Sequence, residues 1–569
     1  MNWLDWSVML GTLAFIVIYG IVKTRGQKNL EGYLRGDSTL PWWTIGLSVM
    51  ATQASAVTFI STPGQAFEDG MRFVQFYFGL PLAIVIICVA FLPRYYKLKV
   101  YTAYEFLESR FDQKTRTLAS VLFLIQRGLA AGITIYAPSI VLSTILNWDL
   151  TLTTLVIGFV VIGYTMSGGT RAVSQTQKLQ FTVIMVGMFI IFGLILSMLP
   201  ADIGFTDSIK IAGKMGKMNI VDWSFNFTDR YNIWAGITGG LFLQLSYFGT
   251  DQSQVARYIS GASLTESRLG LLFNGLLKIP MQFFILLCGI MVFVFYQFTA
   301  PPVFFNESTY HRAEKTEYAP QLKQQEEKHA ANFREKSVAV EQLVKGLKSG
   351  DEQLINSSDK QIQEIRKEGD EIRTETKQII RQALKADEKA TKDSDYVFLG
   401  FVLHYLPHGI IGLLFAVIIC AAMSSTSSEV NALASTTIID LYKRNVKTEK
   451  SEKHYLMVSR GLTVVWGLIV ITFAITASLF DNLIQAVNIL GSLFYGTILG
   501  IFLTAFYLKN VRSNAVFYAA IIAEASVITM FFTMDIGFLW FNLIGCGLVM
   551  VMALLFSSVL PSHEPELQS

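Results

Sequence analysis

The sequence predicts an all-α membrane protein with about 13 transmembrane helices and one extramembrane helical hairpin. Three observations predict it. Of 569 residues, 52% are hydrophobic and only 16% charged, and mean hydropathy is +0.44, a balance that a water-soluble globule of this size has no use for. Apolar runs of about 20 residues, the length a helix needs to cross a bilayer, recur from one end to the other. Only residues 301–397 interrupt them, with a stretch rich in Lys, Glu and Gln.

Taken in order, the runs fall at roughly 4–22, 42–62, 73–94, 117–146, 149–167, 179–199, 232–256 and 269–298. Five more follow the polar stretch, at roughly 401–440, 456–478, 483–508, 514–533 and 537–560. The chain thus divides into helices one to eight (1–300), the hairpin (301–397), helices nine to thirteen (398–560) and a short tail (561–569). The first run lacks a basic leader and a small-residue cleavage site, so it is expected to stay as a helix. Lys and Arg gather in alternate loops, among them Arg25, Lys28, Arg35, Arg94, Lys97, Lys99, Lys443, Arg444 and Lys447. Those loops are therefore cytoplasmic, which puts the N-terminus outside, the C-terminus in the cytoplasm and the hairpin outside a cell inner membrane.

Within the polar stretch, Phe333, Val340, Val344 and Leu347 recur at helical spacing, as do Ile362, Ile365, Ile372 and Ile379. Ser349-Gly350-Asp351 separates the two series, so an antiparallel hairpin with an apolar seam is expected. It is either a solvated spacer or a docking arm for an envelope partner. The net charge of +3 is dispersed over short loops, which excludes a nucleic-acid partner. All four cysteines lie in apolar runs at unrelated spacings and are expected to be packing residues.

Two runs carry chemistry. The second, from Gly46 to Gly64, is crowded with small and hydroxyl residues where a lipid-facing helix would hold Leu and Ile. Small residues through Ala51 to Ala56, and the Ser61-Thr62-Pro63-Gly64 end, let such a helix open and turn carbonyls towards a cation. The ninth has five consecutive hydroxyl residues, Ser424 to Ser428, followed by Glu429. Hard cations take several oxygen ligands, and neutral oxygens suit reversible binding of sodium. Arg127, well inside the fourth run, costs on the order of 2.5–3.5 kcal/mol to insert and is either a structural pair or an anchor for an anion.

Along nearly all of the chain except the 301–397 insertion, these residues resemble the sodium:solute symporter family. Ser55-Ala-Val-Thr58, Thr62-Pro-Gly64 and Ile135-Tyr-Ala-Pro-Ser139 are similar to its iodide, monocarboxylate and multivitamin branch. Thr102-Ala-Tyr-Glu-Phe-Leu-Glu-Ser-Arg-Phe111, Gly168-Gly-Thr-Arg-Ala-Val173, Gly249-Thr-Asp-Gln-Ser-Gln-Val-Ala-Arg-Tyr258 and Phe494-Tyr-Gly-Thr-Ile-Leu-Gly-Ile-Phe502 resemble signatures spread along the family core.

The resemblance implies a LeuT-like fold, two inverted five-helix repeats made of runs two to six and seven to eleven. It implies a sodium ion held by carbonyls of Ala51, Ala54 and Ala421 and hydroxyls of Ser424 and Ser425. A solute site near Thr58, Arg127, Gln244, Tyr247 and Gln252 is implied too. A second ion site of some relatives is degenerate here. Ser427 and Ser428 remain, but Thr176 is followed by Gln177 and Lys178 in place of a carboxylate. Lys178 is accordingly expected to pair with Glu429, leaving one sodium per solute.

The implied function is sodium-coupled import of a small organic solute, most simply a monocarboxylate-like anion, by alternating access. A sugar or sialic acid is the alternative solute. The sequence has no phosphate-binding loop to couple nucleotide hydrolysis and no paired carboxylates or intramembrane histidines for catalysis, so no enzyme is expected. A transporter-like membrane sensor is the rival of another class, and it would normally append a signalling domain after Leu560.

Overall fold

The computed structural model describes residues 2–24, 40–146, 148–385, 393–445, 450–476 and 482–559, without the side chains of 164, 166–176 and a few helix ends. Arg25, Lys28, Arg35, Lys447, the tail from 560 and the side chain of Thr176 lie outside the described residues. Among those described there is no strand, only one isolated bridge between Leu40 and Gly261.

The helices are α1 (Trp3–Thr24), α2 (Trp42–Gln53), α3 (Ala56–Asp69), α4 (Leu80–Ile86), α5 (Leu92–Leu98), α6 (Glu105–Arg110), α7 (Gln113–Leu146) and α8 (Leu150–Ser197). After the short α9 (Phe205–Lys214) come α10 (Gly240–Gly249), α11 (Gln252–Tyr258) and α12 (Leu264–Phe298). Then follow α13 (Glu307–Ala313), α14 (Ala319–Ser349), α15 (Glu352–Leu384), α16 (Val397–Tyr405) and α17 (Ile410–Thr436). The chain closes with α18 (Glu452–Thr476), α19 (Leu483–Tyr507), α20 (Ser513–Thr533) and α21 (Trp540–Val559). Each of the 13 expected crossings has a helical counterpart. Nine described segments are long and apolar enough to cross a bilayer individually, and the other crossings are broken or short.

Three boundaries differ from the sequence reading, each for a local reason. The second crossing is two helices, because Ala54 and Ser55 leave the helical region (ψ 61° and 170°). The seventh breaks at Thr250, and Asp251 caps the new helix by accepting from Ser253 N at 2.9 Å. The ninth starts at Ile410 instead of 401. Pro407 cannot donate to a continuing helix, and Gly409 takes a positive φ of 89° that ends α16 and redirects the chain. The fifth and sixth crossings are joined by helical backbone, and no proline lies between Leu150 and Ser197 to interrupt it.

The two hairpin helices turn at Gly350 in the left-handed region (φ 72°), and Asp351 then caps α15 by accepting from Gln353 N and Leu354 N at 3.0 and 3.1 Å. Ala339, Val340 and Leu343 of α14 bury against Ile355, Ile362 and Ile365 of α15. Phe333 and Ile379 are only partly buried, and polar Asn332 takes a seam position, donating to Ile365 O at 2.9 Å. The hairpin lies on the membrane domain. Met215 and Phe298 pack into its seam, and Lys348 reaches Asp202 at 2.7 Å.

Helix α3 carries Pro63 in its middle and still packs closely on α12, because Gly289 faces the Pro63 backbone. A Cβ there would sit well inside contact distance of the Pro63 carbonyl oxygen. Gly289→Leu should therefore force α3 from α12 at a cost of about 1–3 kcal/mol or more. The expected readout is a lower melting temperature and less monodisperse protein in detergent, where an unaffected melting curve would contradict this packing.

Candidate functional site

The break between α2 and α3 faces the hydroxyl run of α17. A helix interrupted inside a bundle leaves carbonyls without their usual i+4 donors, and neighbouring groups must satisfy them. Thr58 does part of this by donating Oγ1 to Gln53 O at 2.9 Å, and Ser425 Oγ donates to Thr52 O at 3.3 Å. All five expected sodium ligands, Ala51, Ala54, Ala421, Ser424 and Ser425, are buried at 4% exposure or less. Among the described residues Ser424 Oγ has no hydrogen-bond partner, and neither has Ser427 Oγ. A buried hydroxyl without a partner costs roughly 1–3 kcal/mol, so an orphaned oxygen beside a broken helix suits a cation that supplies the missing interaction. The donor set, neutral oxygens only, fits sodium.

The neighbouring residues of the degenerate second site are arranged otherwise than the sequence reading expects. Gln177 accepts from Ser48 Oγ at 2.6 Å and donates to Thr52 Oγ1 and Ser428 Oγ at 3.1 and 3.2 Å. Ser428 Oγ also receives Arg257 Nη2 and donates to Ser424 O at 2.8 Å. The cation beside this position is thus Arg257. Lys178 places its ammonium 4.5 Å from the centre of the Trp43 ring, and Glu429 pairs elsewhere. The reason is helical geometry. Ser428 and Glu429 are consecutive and so point about 100° apart, one towards α8 and α11 and the other towards α7.

On that other side Glu429 Oε1 lies 3.1 Å from Arg127 Nη1, and Thr134 Oγ1 donates to Glu429 Oε2 at 2.8 Å. The second arm of Arg127 donates to Asp251 and, at 2.7 Å, to Tyr495 Oη, which itself donates to Asp251 Oδ2 at 2.9 Å. Arg127 and Asp251 are 3% and 1% exposed. Both prongs of the guanidinium are therefore committed to carboxylates of the chain, as the structural-pair alternative for Arg127 expects.

Thr58, Arg127, Gln244 and Tyr247 do line one cavity, enclosed by the α2–α3 break, α7, α10, α12 and α19. Gln252 does not. Its amide accepts from Ala103 N at 3.1 Å and donates to Tyr101 O at 2.9 Å, which turns it from the cavity towards the α5–α6 loop. The cavity also holds polar groups that the sequence reading missed, among them Gln53, Thr134, Asn488 and Lys278. Lys278 is 2% exposed, makes no salt bridge among the described residues, and has its ammonium 5.6 Å from the Tyr77 ring centre. A lysine in the middle of an apolar crossing is itself a signal of function, and it stood in the eighth run.

Comparison with known proteins gives the family and the fold. The sequence model of the sodium:solute symporter family matches residues 33–319 and 377–523. The chain belongs to that family. It is a multi-pass membrane protein and a sodium-coupled symporter, and the matched relatives are transporters. The sodium/sialic acid symporter SiaT of Proteus mirabilis is 25% identical over 97% of this chain and 94% of its own length. Human sodium-coupled monocarboxylate transporter 1 is 27% identical over 88% of the chain and 68% of its own length. The human sodium/iodide cotransporter is 30% identical over 51% of the chain and 46% of its own length. A solved sodium-coupled sialic acid symporter, substrate-bound and outward-open, has the same fold, with a TM-score of 0.74, 23% identity and 98% of both chains covered. That shared fold is the LeuT-like one.

Removing one member of a buried, hydrogen-bonded ion pair strands the others at a cost of roughly 3–5 kcal/mol. Arg127→Ala should accordingly lower the melting temperature and abolish uptake. Adding Glu429→Gln should recover part of the thermal loss in a double-mutant cycle. Additive losses would mean that the two groups do not interact.

Proposed function

We propose that this symporter imports a small organic anion, a carboxylate, with one sodium ion per solute, and that sodium is held by Ala51, Ala54, Ala421, Ser424 and Ser425. The observation that carries the reading is the Ser424 hydroxyl, buried without a partner among the described residues next to Ser425, whose own hydroxyl donates to Thr52 O at the α2–α3 break, beside a cavity lined by Lys278. Sodium at this place would tie the broken helix to α17, so that loading the ion organises the solute cavity next to it. Lys278 is the cation free to meet a carboxylate there, because Arg127 is neutralised by Asp251 and Glu429. One sodium rather than two follows from Gln177 in place of a carboxylate, with Arg257 on Ser428. The likeness to SiaT over nearly the whole chain supports sialic acid, also a carboxylate, as the second reading.

In this account the membrane is a cell inner membrane, with the N-terminus and the hairpin outside and the C-terminus in the cytoplasm. The side chains that enclose the cavity then see a solute entering from the hairpin side. An envelope partner for the hairpin stays a proposal beside its docking on the membrane domain.

Three outcomes are expected. Ser424→Ala and Ser425→Ala should each raise the sodium concentration for half-maximal uptake several-fold, with a smaller effect on the solute KM at saturating sodium. Unchanged sodium dependence in both would remove the site. Lys278→Gln should weaken uptake of monocarboxylates or sialic acid at least tenfold, the value of a charge-assisted hydrogen bond, and equal affinity would return Lys278 to a packing role. Because all four native cysteines are buried, a Ser349→Cys variant should react with an impermeant maleimide added to intact cells, whereas labelling only after lysis would reverse the topology.

A further inference from the structure

A second cleft lies away from the solute cavity. It measures about 610 Å³ and is roofed by α14 and α15, with Phe67 and Glu68 at the end of α3, Lys214 to Lys217 after α9, and the outer end of α12 as its floor. Phe293 of that floor is 15 residues beyond Lys278 on the same helix, about 22 Å away at 1.5 Å per residue. Most of the roof falls in the gap between the two stretches that match the family model, so the cleft exists because of the insertion.

Its charge is unbalanced. Lys214, Lys217, Lys336, Arg366, Arg373 and Lys377 line it against Glu68, Asp359 and Asp370. Buried Asp393 takes up Arg373 and Lys377, at 2.8 and 2.9 Å. Neither Lys336 nor Arg366 makes a salt bridge among the described residues, and Lys217 spends its ammonium on backbone carbonyls, Phe67 O at 2.7 Å and Glu68 O. Burial, followed by repulsion from Arg366, pushes both Lys217 and Lys336 down to about 8. The His329 imidazole is pushed down to about 4 by burial, so it adds no charge at neutral pH, and its Nδ1 is buried without a partner among the described residues. Holding like charges together in a half-enclosed cleft is unfavourable unless an anion offsets them.

We propose that the cleft beneath the hairpin is a binding site for a small polyanion, a phosphate or a polycarboxylate, held by Lys336 and Arg366 of the hairpin together with Lys217 of the membrane domain. Arg366 offers the planar fork suited to such oxyanions, and the two lysines offer point charges. The site is built into the transport machinery at Lys217. That residue caps the last carbonyls of α3, its own carbonyl accepts from Met71 N at 2.8 Å, and Gly70 passes against it with φ 72°. Helix α3 is half of the broken helix at the proposed sodium site, so an anion that fastens Lys217 to the hairpin restrains the outer end of the helix whose inner end starts at the Ala54–Ser55 break beside that site. Anion binding and sodium binding are thereby coupled, and by linkage each changes the affinity for the other by the same factor.

The test is isothermal titration calorimetry on the full-length protein in nanodiscs, using inorganic phosphate and, separately, citrate as probes, with chloride as the counterion throughout. Binding of at least one probe is expected, weakened at least tenfold in Lys336→Gln/Arg366→Gln. The Lys278→Gln protein should bind the same probe as the parent does, which separates this site from the solute cavity. Phosphate alone binding would define the ligand as a phosphate, citrate alone as a polycarboxylate. No binding of either probe, equal binding by the hairpin double variant, or loss of binding in Lys278→Gln would overturn the proposal, whatever the outcome for the solute reading.

Discussion

A guanidinium buried among membrane helices has to be matched by charge from the chain itself, because neither water nor lipid tails can solvate it. At Arg127 the match comes from three places at once, Asp251 at the start of α11, Glu429 in α17 and the phenol of Tyr495 in α19. One side chain of α7 thereby fixes the approach of three other elements. Asp251 is committed twice, since it also caps α11 where the seventh crossing breaks. The position of that break and the position of Arg127 are consequently set by one carboxylate.

The same network decides what remains for a solute. Arg127 brings one positive charge and its two carboxylates bring two negative ones, so the cluster is not an attractive surface for an anion by itself. Lys278 lines the same cavity and makes no salt bridge among the described residues. Neutral donors and acceptors, Gln53, Gln244 and Asn488, line it too. A cavity with one unmatched cation among neutral polar groups is in keeping with the carboxylate solute proposed above.

The insertion adds a second layer of electrostatics on one face of the membrane domain. Its two helices satisfy their own seam, with Asn332 bonded inside it, and then use charged faces against the body, through Lys348 on Asp202 and the cationic cleft around Lys336 and Arg366. The cleft under the hairpin has Lys217 in its floor, and Lys217 holds the carbonyls that end α3.

The crossings, the hairpin and the cation-suited composition of α2, α3 and α17 were legible in the sequence, because they follow from local quantities. Hydrophobic length sets a crossing, three- and four-residue spacing sets a seam, and a run of hydroxyls in an apolar segment marks a polar site wherever the helix is placed. Pro407 and Gly409 carried the boundary of α17 in plain view as well, since their backbone preferences are intrinsic. What only the tertiary structure decided is which charge meets which. Glu429 follows Ser428 in the chain, yet one turns to Arg127 and the other to Gln177 and Arg257. Gln252 lies in the segment that reaches the cavity but bonds the α5–α6 loop, and Lys278 faces the solute space from a helix that otherwise reads as apolar packing. Pairing of charges depends on helix rotation and on partners hundreds of residues away, and an interaction that falls off within a few ångströms cannot be read from spacing along one chain.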